Sequence, residues 1–586
     1  MKPKTMNKPY KHLLTFLCVL FPLISSAQNR PMLQVDVTAL DLGDCTFDTV
    51  CTKTFTLLNP GAESVTVEKI SIYDTHFSAT PVTPFTVAAS GNQIITVSFS
   101  SPDNLTYKDV LTVEAQNGVE VVEITLSARA VYNEDYGSKT DYYLSTQDLW
   151  GEALKTALNN IIKNNTNNSY DTSRNAMFGI TIDAINNGNN TKTLECIYTG
   201  RLVTMSTSTQ RPSASSPEYI NTEHTWPQSF FNQNNPMVSD IHHLYPTDVD
   251  ANNERANFPF GNVNRTGSGV RCHDKDIPSQ NGTCTNAGSG EWSYLLSNVY
   301  EPRDVQKGNT ARSLFYFMVR YGNLGGFFTS AQETALRQWH TNDPPDAKEK
   351  ARNTGIMNFQ NNRNPFVDHP EFANRISSFY GTATGVPSSV LATAVPTAED
   401  YGEIGLTQTL EAEINVINRG NAAFTYTTSL SGTGFSIVSG SSGSVPAYGY
   451  TPIRVRFAPS TISSYNGILS ISPSSGSTLN VSLAGTGNSA TSREEERTQP
   501  AVFVVEKPFP NPFTTTSTLR FATGKSAQVV LTLHDVLGRT VQTVLNEQVA
   551  DGQHEVALQA NGLPAGVYIY RLSVNGQSHT GKIIKQ

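Results

Sequence analysis

Between residue 31 and about residue 132, apolar and polar side chains alternate in short runs. Examples are Thr54-Phe55-Thr56-Leu57-Leu58, Gln93-Ile94-Ile95-Thr96-Val97-Ser98-Phe99 and Val121-Val122-Glu123-Ile124-Thr125-Leu126. Turn formers such as Asn59-Pro60-Gly61 separate them. A period of two in short, regularly spaced runs predicts half-buried strands and an antiparallel β-sandwich. The pattern returns from about 385 to 487. Val416-Ile417-Asn418-Arg419-Gly420 echoes Leu57-Leu58-Asn59-Pro60-Gly61, and Ile453-Arg454-Val455-Arg456-Phe457 echoes Ile95-Thr96-Val97-Ser98-Phe99.

Between the two copies the period changes. Leu149, Trp150, Ala153, Leu154, Ala157, Leu158, Ile161 and Ile162 recur every three or four residues, which predicts an amphipathic helix with a cap-like start at Ser145 and Asp148. Ala311 to Val319 reads as a buried helix, Ser330-Ala331-Gln332-Glu333 as a capping box, and Asp343-Pro344 as another helix start. Helices around an irregular polar insert make 133–382 an α+β domain. After Gly487 comes a polar linker without apolar period, and the chain ends strand-rich from about 507.

At 586 residues several cores are needed. Lys2, Lys4, Lys8 and Lys11 precede a short apolar run, Leu13 to Ile24, and the small residues Ser25-Ser26-Ala27. That order describes a secretory signal peptide over 1–27, and no later stretch is apolar enough for a stable membrane span. In an oxidising compartment Cys45 with Cys51 and Cys272 with Cys284 are plausible disulfides, which leaves Cys196 as a buried free thiol. The net charge of −8 offers no global attraction to nucleic acid or an anionic membrane.

The candidate chemistry lies in one segment. Six of eleven histidines fall between His224 and His369, and four of these between His224 and His273. Glu223, His224, Asp240, His242, His243, Asn252, Glu254 and Arg255 crowd a stretch poor in aliphatic residues. The residues after Pro246 read as a short helix with Thr247 as N-cap. Asn252 within it is a poor helix former, which suggests an amide oxygen aimed at a hard cation. Glu223 would bind the same metal, and neutral His224 would take a proton from water. Neighbours in a strand face apart, so the pair needs a strand end, which Pro227 makes plausible. His242 and His243 read as support for this unit, Asp240 as a cap or an orienter of an imidazole, and His340 and His369 as ordinary helix-end and loop histidines.

Several ordered blocks carry a family resemblance. Asn221-Thr222-Glu223-His224-Thr225-Trp226-Pro227-Gln228-Ser229, Asp240-Ile241-His242-His243-Leu244-Tyr245-Pro246 and Asn252-Asn253-Glu254-Arg255-Ala256-Asn257 resemble the endonuclease I family of secreted nucleases. So do Ile197-Tyr198-Thr199-Gly200 and Gln360-Asn361-Asn362-Arg363-Asn364-Pro365-Phe366. The resemblance implies a ββα-metal finger, with His224 as general base, Glu223 and Asn252 as ligands of a divalent metal, and products carrying 5′-phosphate. Mg²⁺ is the expected ion, with Mn²⁺ or Ca²⁺ as alternatives. The two alternating segments resemble immunoglobulin-like choice-of-anchor D modules. The end of the chain resembles the sorting domain of the type IX secretion pathway.

The expected organisation is therefore a signal peptide, an immunoglobulin-like sandwich over 28–132, an endonuclease I-like domain over 133–382 and a second sandwich over 383–487. A linker over 488–506 and a β-sandwich sorting domain over 507–586 complete it. The expected protein is a monomer outside the cytoplasm, with DNA, RNA or both as substrate and the type IX machinery as partner.

The chain departs from the family in one respect. Some members stabilise the transition state with an arginine between the histidine and the helix, yet Thr225 to Glu254 holds no Arg or Lys. Arg255, Arg271, Arg312 and Arg363 are the substitutes weighed; Arg312 and Arg363 are equally open to a core carboxylate. Residues 133–380 hold 21 Lys+Arg against 25 Asp+Glu, so weak, salt-sensitive, nonspecific binding is expected. Two other classes compete: a zinc hydrolase using His224, His242 and Asp240, which lacks an HExxH motif, and a surface adhesin whose sandwiches do the work.

Overall fold

The computed structural model describes residues 33–115, 121–216, 219–275 and 288–489. It also describes most of 503–586, all but 506–507, 509, 512, 524–525, 535–538, 551, 560–561 and 575–576. The expected signal peptide, most of the linker and Cys284 lie outside the described residues. The chain forms two compact units, one ending at Ser489 and one beginning at Ala490. Among the described residues no helix is long and apolar enough to cross a membrane.

The first unit opens with a β-sandwich. One sheet orders its strands Gln34–Val35, Cys51–Leu58, Asn92–Phe99, Phe77–Thr80; the other Ala39–Thr46, Val122–Val131, Thr106–Ala115, Val65–Ser71, Phe85–Val87. Residues 392–488 repeat this order strand for strand, from Ala392–Val395, Leu410–Asn418, Gly449–Phe457 and Phe435–Ser439 to the partner sheet that begins at Ala398–Gly405. Even the parallel pairing recurs, with a register shift between Asp41 and Asp44 and again between Asp400 and Glu403. Alternation places Ile95, Val97 and Phe99 in one core and Ile453, Val455 and Phe457 in the other. The echoed Asn59 and Asn418 do the same job. Each buried amide donates to the carbonyl four residues on (Glu63, 2.8 Å; Ala422, 2.8 Å) and accepts the backbone N–H two residues on (Gly61, 3.0 Å; Gly420, 2.9 Å). Cys45 and Cys51 form a disulfide, and Cys196 is free and buried.

Helices dominate the middle of this unit: α1 (Gly151–Ile162), α2 (Tyr170–Met177), α3 (Val249–Arg255), α4 (Asp304–Tyr321), α5 (Ser330–Asn342) and α6 (Ala347–Gln360). The central α4 buries Leu314, Phe315, Tyr316 and Phe317 completely. Several helix starts differ from expectation, because the expected caps are used elsewhere. Asp148 accepts the Thr106 hydroxyl at 2.9 Å from the first sandwich, and α1 begins after Trp150 without a side-chain cap. Asp343 takes the Gly308 amide at 2.8 Å, so Asp346 caps α6. Thr329 caps α5, which frees Glu333 to bind the Phe379 and Tyr380 amides at 2.8 and 2.9 Å.

The first sandwich is fastened to both neighbours. Towards the second sandwich, Arg419 meets Asp109 at 2.8 Å, and Val110, Val395 and Ile417 bury one another. Towards the helices, Asn104 donates to Thr146 at 2.9 Å and accepts from the buried Arg375. His369 is sandwiched between Glu134 at 2.6 Å and Glu371 at 2.9 Å, stacked on Tyr132 at 3.7 Å. The second unit pairs a sheet ordered Phe503–Val505, Thr516–Thr523, Gly552–Gln559 with one ordered Thr540–Val549, Ala527–His534, Gly566–Val574, Gln577–Lys585.

Burial alone would lower the basicity of His369, but the Glu134 and Glu371 carboxylates outweigh it and push the pKa up to about 9. Folding thus raises this pKa above the ordinary histidine range. The contribution is complete below that range and is lost as pH climbs through about 9. The melting temperature of the full chain should therefore fall between pH 7 and pH 10. In His369→Gln this alkaline loss should shrink, as scanning calorimetry across that range would show.

Candidate active site

The polar segment folds as a two-stranded hairpin followed by a helix. Asn221–His224 pairs antiparallel with Leu244–Thr247, Glu223 opposite Tyr245 and His224 opposite Leu244, and α3 follows directly. The hairpin is held from behind by α4. Trp226, buried just past the first strand, stacks on Phe317 at 4.3 Å, and the Tyr245 hydroxyl meets Ser313 at 2.7 Å. Arg352 of α6 donates to the carbonyls of Ile241 and Leu244 at 2.9 and 2.6 Å. The start of α3 is fixed by Asp248, not by the expected Thr247. No side chain caps the helix, because the Asp248 carboxylate is held by Thr199 and by Arg201 at 2.5 Å.

His224 ends its strand and is buried. Its Nε2 lies 3.1 Å from the Val238 carbonyl, which can only accept, so this nitrogen carries the proton. Nδ1 is then the lone-pair nitrogen, and it accepts the Gln228 amide at 2.9 Å. Burial, followed by the nearby His243, holds the imidazole well below ordinary histidine basicity, so it is neutral at pH 7. Gln228 was legible only as part of the motif four residues past the histidine; nothing in the sequence assigns it this contact.

Glu223 is equally buried and faces a different set of partners. The Tyr198 hydroxyl donates to its Oε1 at 2.7 Å, and the Arg255 Nε stands 3.4 Å from the same oxygen. Burial pushes this carboxyl up, and the Arg255 charge and then Tyr198 pull it back. Asn252, on α3, donates its Nδ2 to the Thr222 carbonyl at 3.4 Å; no hydrogen bond engages its Oδ1 among the described residues. The amide is thus turned with its oxygen free. A carboxylate and an amide oxygen form a hard donor pair, suited to Mg²⁺ or Ca²⁺ rather than to thiophilic metals. These residues fit a divalent cation.

The arginines divide. Arg255 is buried with Glu223, donates to the Thr225 carbonyl at 2.6 Å and the Ala256 carbonyl at 3.1 Å, and lies over Phe260 at 4.6 Å. Arg312 is spent on Glu349 at 2.6 Å and the Asp343 carbonyl at 2.7 Å. Arg363 grips Asp368 with two bonds of 2.6 Å and stacks on Tyr136 at 4.0 Å. Arg271 pairs with Glu254 at 3.1 Å. Thus Arg255 joins Glu223 and His224, whereas Arg312 and Arg363 take the core carboxylates that were the other option.

His242 and His243 lie in a 3₁₀ turn, not on the strand, and both are buried. Their Nε2 atoms meet the carbonyls of Asn362 at 3.3 Å and Met237 at 2.7 Å. Asp240 caps this turn, accepts from Gln360 at 2.8 Å and takes the Tyr316 and Tyr321 hydroxyls, each at 2.8 Å. Its oxygens are committed, which removes the third ligand from the zinc alternative.

Known proteins share this unit. The Endonuclease I family profile matches residues 150–371. A HYDIN/CFA65/VesB-like Ig-like domain matches residues 31–129, and a secretion system C-terminal sorting domain matches 507–586. The chain is similar to an extracellular ribonuclease of Bacillus amyloliquefaciens, 31% identical over 296 residues, which cover 48% of this chain and 91% of the relative. An extracellular ribonuclease of Bacillus subtilis (strain 168) is 30% identical over 258 residues, 41% of this chain and 80% of the relative. An extracellular deoxyribonuclease of Aeromonas hydrophila is 28% identical over 134 residues, 23% of this chain and 51% of the relative. The chain belongs to the endonuclease I family, and it is a secreted nuclease with an Ig-like module and a type IX sorting domain.

Proposed function

We propose that the chain is a divalent-metal-dependent, sequence-nonspecific endonuclease that hydrolyses phosphodiester bonds of RNA, DNA or both. The observation that carries this reading is His224. It is neutral, with one nitrogen pinned to a carbonyl and the other an acceptor, on the same strand as a buried carboxylate, and an amide of α3 with a free oxygen is bonded to that strand through Thr222. RNA is the first substrate to try, because the two relatives covered over most of their length are named extracellular ribonucleases.

The position of the Gln228 amide marks where a donor to Nδ1 sits; a water in that place loses its proton to His224. The Val238 carbonyl then stabilises the imidazolium through the Nε2 proton. The activated water attacks phosphorus in line, the bond to the 3′-oxygen breaks, and a 5′-phosphate remains. Glu223 and Asn252 would hold the cation, Mg²⁺ or, failing that, Mn²⁺ or Ca²⁺, which when bound offsets charge on the phosphate and the departing oxygen. Arg255 is a positioning residue: its charge opposes the effect of burial on Glu223, and its donors tie that residue to the end of the histidine strand.

Three outcomes are expected. His224→Ala should lower kcat on RNA and on plasmid DNA by about 10²–10⁴-fold in a protein that still unfolds cooperatively; full residual activity would refute the general base. EDTA should abolish cleavage, and Mg²⁺ or Mn²⁺ should restore it to the parent but not to Glu223→Gln. Rescue by Zn²⁺ alone would instead favour the zinc hydrolase. Arg255→Ala strands a buried carboxylate and should cost about 3–5 kcal/mol in urea denaturation, with activity lost alongside.

A further inference from the structure

Helix α2 lies outside the hairpin yet forms one wall of the site. Its first residue, Tyr170, places its ring 5.3 Å from the His224 ring. One turn on, Arg174 donates from Nε to the Thr222 hydroxyl at 3.3 Å, two residues before His224 on the same strand. The guanidinium also lies over the Tyr170 ring at 5.0 Å. Two contacts of different kinds therefore fix it beside the imidazole, and its side chain keeps 19% of its surface exposed.

Charge balance sets Arg174 apart from most arginines of the domain; Arg320 and Arg375 also lack a close carboxylate, but they spend their donors on carbonyl and amide oxygens. Arg312, Arg352 and Arg363 meet carboxylates at 2.6 to 2.7 Å, and even the buried Arg255 has Glu223 at 3.4 Å. The carboxylate that Arg174 meets is Asp171, at 3.8 Å. Asp171 is mostly exposed and already held by Arg211 at 2.6 Å. Arg174 thus brings a largely uncompensated charge to the Tyr170 side of the histidine strand. A guanidinium with donors left over matches the oxygens of a phosphodiester.

We propose that Arg174 is a catalytic residue that contacts a nonbridging oxygen of the scissile phosphate, held in place by Tyr170 and Thr222. The proposal rests on the nuclease reading above. It fills, from a helix that precedes the finger, the cationic role for which Thr225 to Glu254 offers no Arg or Lys. Negative charge on the phosphate oxygens is better matched in the transition state than in the ground state, so kcat should suffer more than KM.

The test compares the full chain with Arg174→Ala, Arg174→Lys and His224→Ala on two substrates: a polymer and a dinucleotide whose single phosphodiester can only be the scissile one. Arg174→Ala should lower kcat by about 10²-fold on both, with KM nearly unchanged, the melting temperature unchanged and part of the rate returned by Lys. A rise in KM on the polymer alone, with the dinucleotide cleaved normally, would make Arg174 a remote electrostatic contact and overturn the proposal; so would full activity on both. If Arg174→Ala melts earlier, Arg174→Gln, which can keep the bond to Thr222, is scored by the same criteria. A parent that cleaves neither substrate, matching His224→Ala, would sink the nuclease reading itself, whereas an active parent with an inert His224→Ala and a fully active Arg174→Ala would sink only this one.

Discussion

The site depends on one buried ion pair. Glu223 and Arg255 are both almost wholly withdrawn from water, and neither is tolerable there alone. The guanidinium supplies a fan of donors: one edge faces the carboxylate, and the others take carbonyls at the end of the histidine strand and at the end of α3. The faces of Phe260 and Phe327 cover it at 4.6 and 5.6 Å. Strand end, helix end and carboxylate are thereby locked to one planar group. Asn252 then needs only a single bond to the Thr222 carbonyl to face the same strand.

Around that pair the fold works by burying the hairpin's own polarity. Each histidine behind the site spends its Nε2 on a carbonyl, and Asp240 is surrounded by two phenols and an amide. Although His243 Nδ1 is buried without a hydrogen-bond partner among the described residues, this polar layer resists rotation, because turning a side chain would leave further buried donors or acceptors without a partner. The result is a neutral imidazole whose tautomer is dictated by a backbone carbonyl and not by solvent.

How far the chain could be read depended on range. Alternation found the sandwiches, and the Asn-x-Gly echo reported a real shared contact, because both are local: the bonds of Asn59 and Asn418 to the chain just ahead of them are written within four residues. The hairpin histidine and the helical asparagine were legible for the same reason. Caps were misplaced by one to five residues where a carboxylate had a distant suitor, as with Asp148 and Thr106 or Asp343 and Gly308. The fates of Arg312 and Arg363 were open in sequence, since their partners Glu349 and Asp368 are two of many acids. His369 passed for a loop residue because Glu134, 235 positions away, cannot be inferred from spacing.

The contacts of Arg375 bear on where such a chain can be cut. This buried arginine donates to Asn104, a residue of the first sandwich, as well as to the carbonyls of Thr146 and Leu149 among the helices. A seam drawn where the strand period gives way to the helical one would therefore run through its solvation shell. The catalytic lobe and the sandwich ahead of it keep separate hydrophobic cores but share this buried polar junction, so a cut at the seam would leave Arg375 without Asn104.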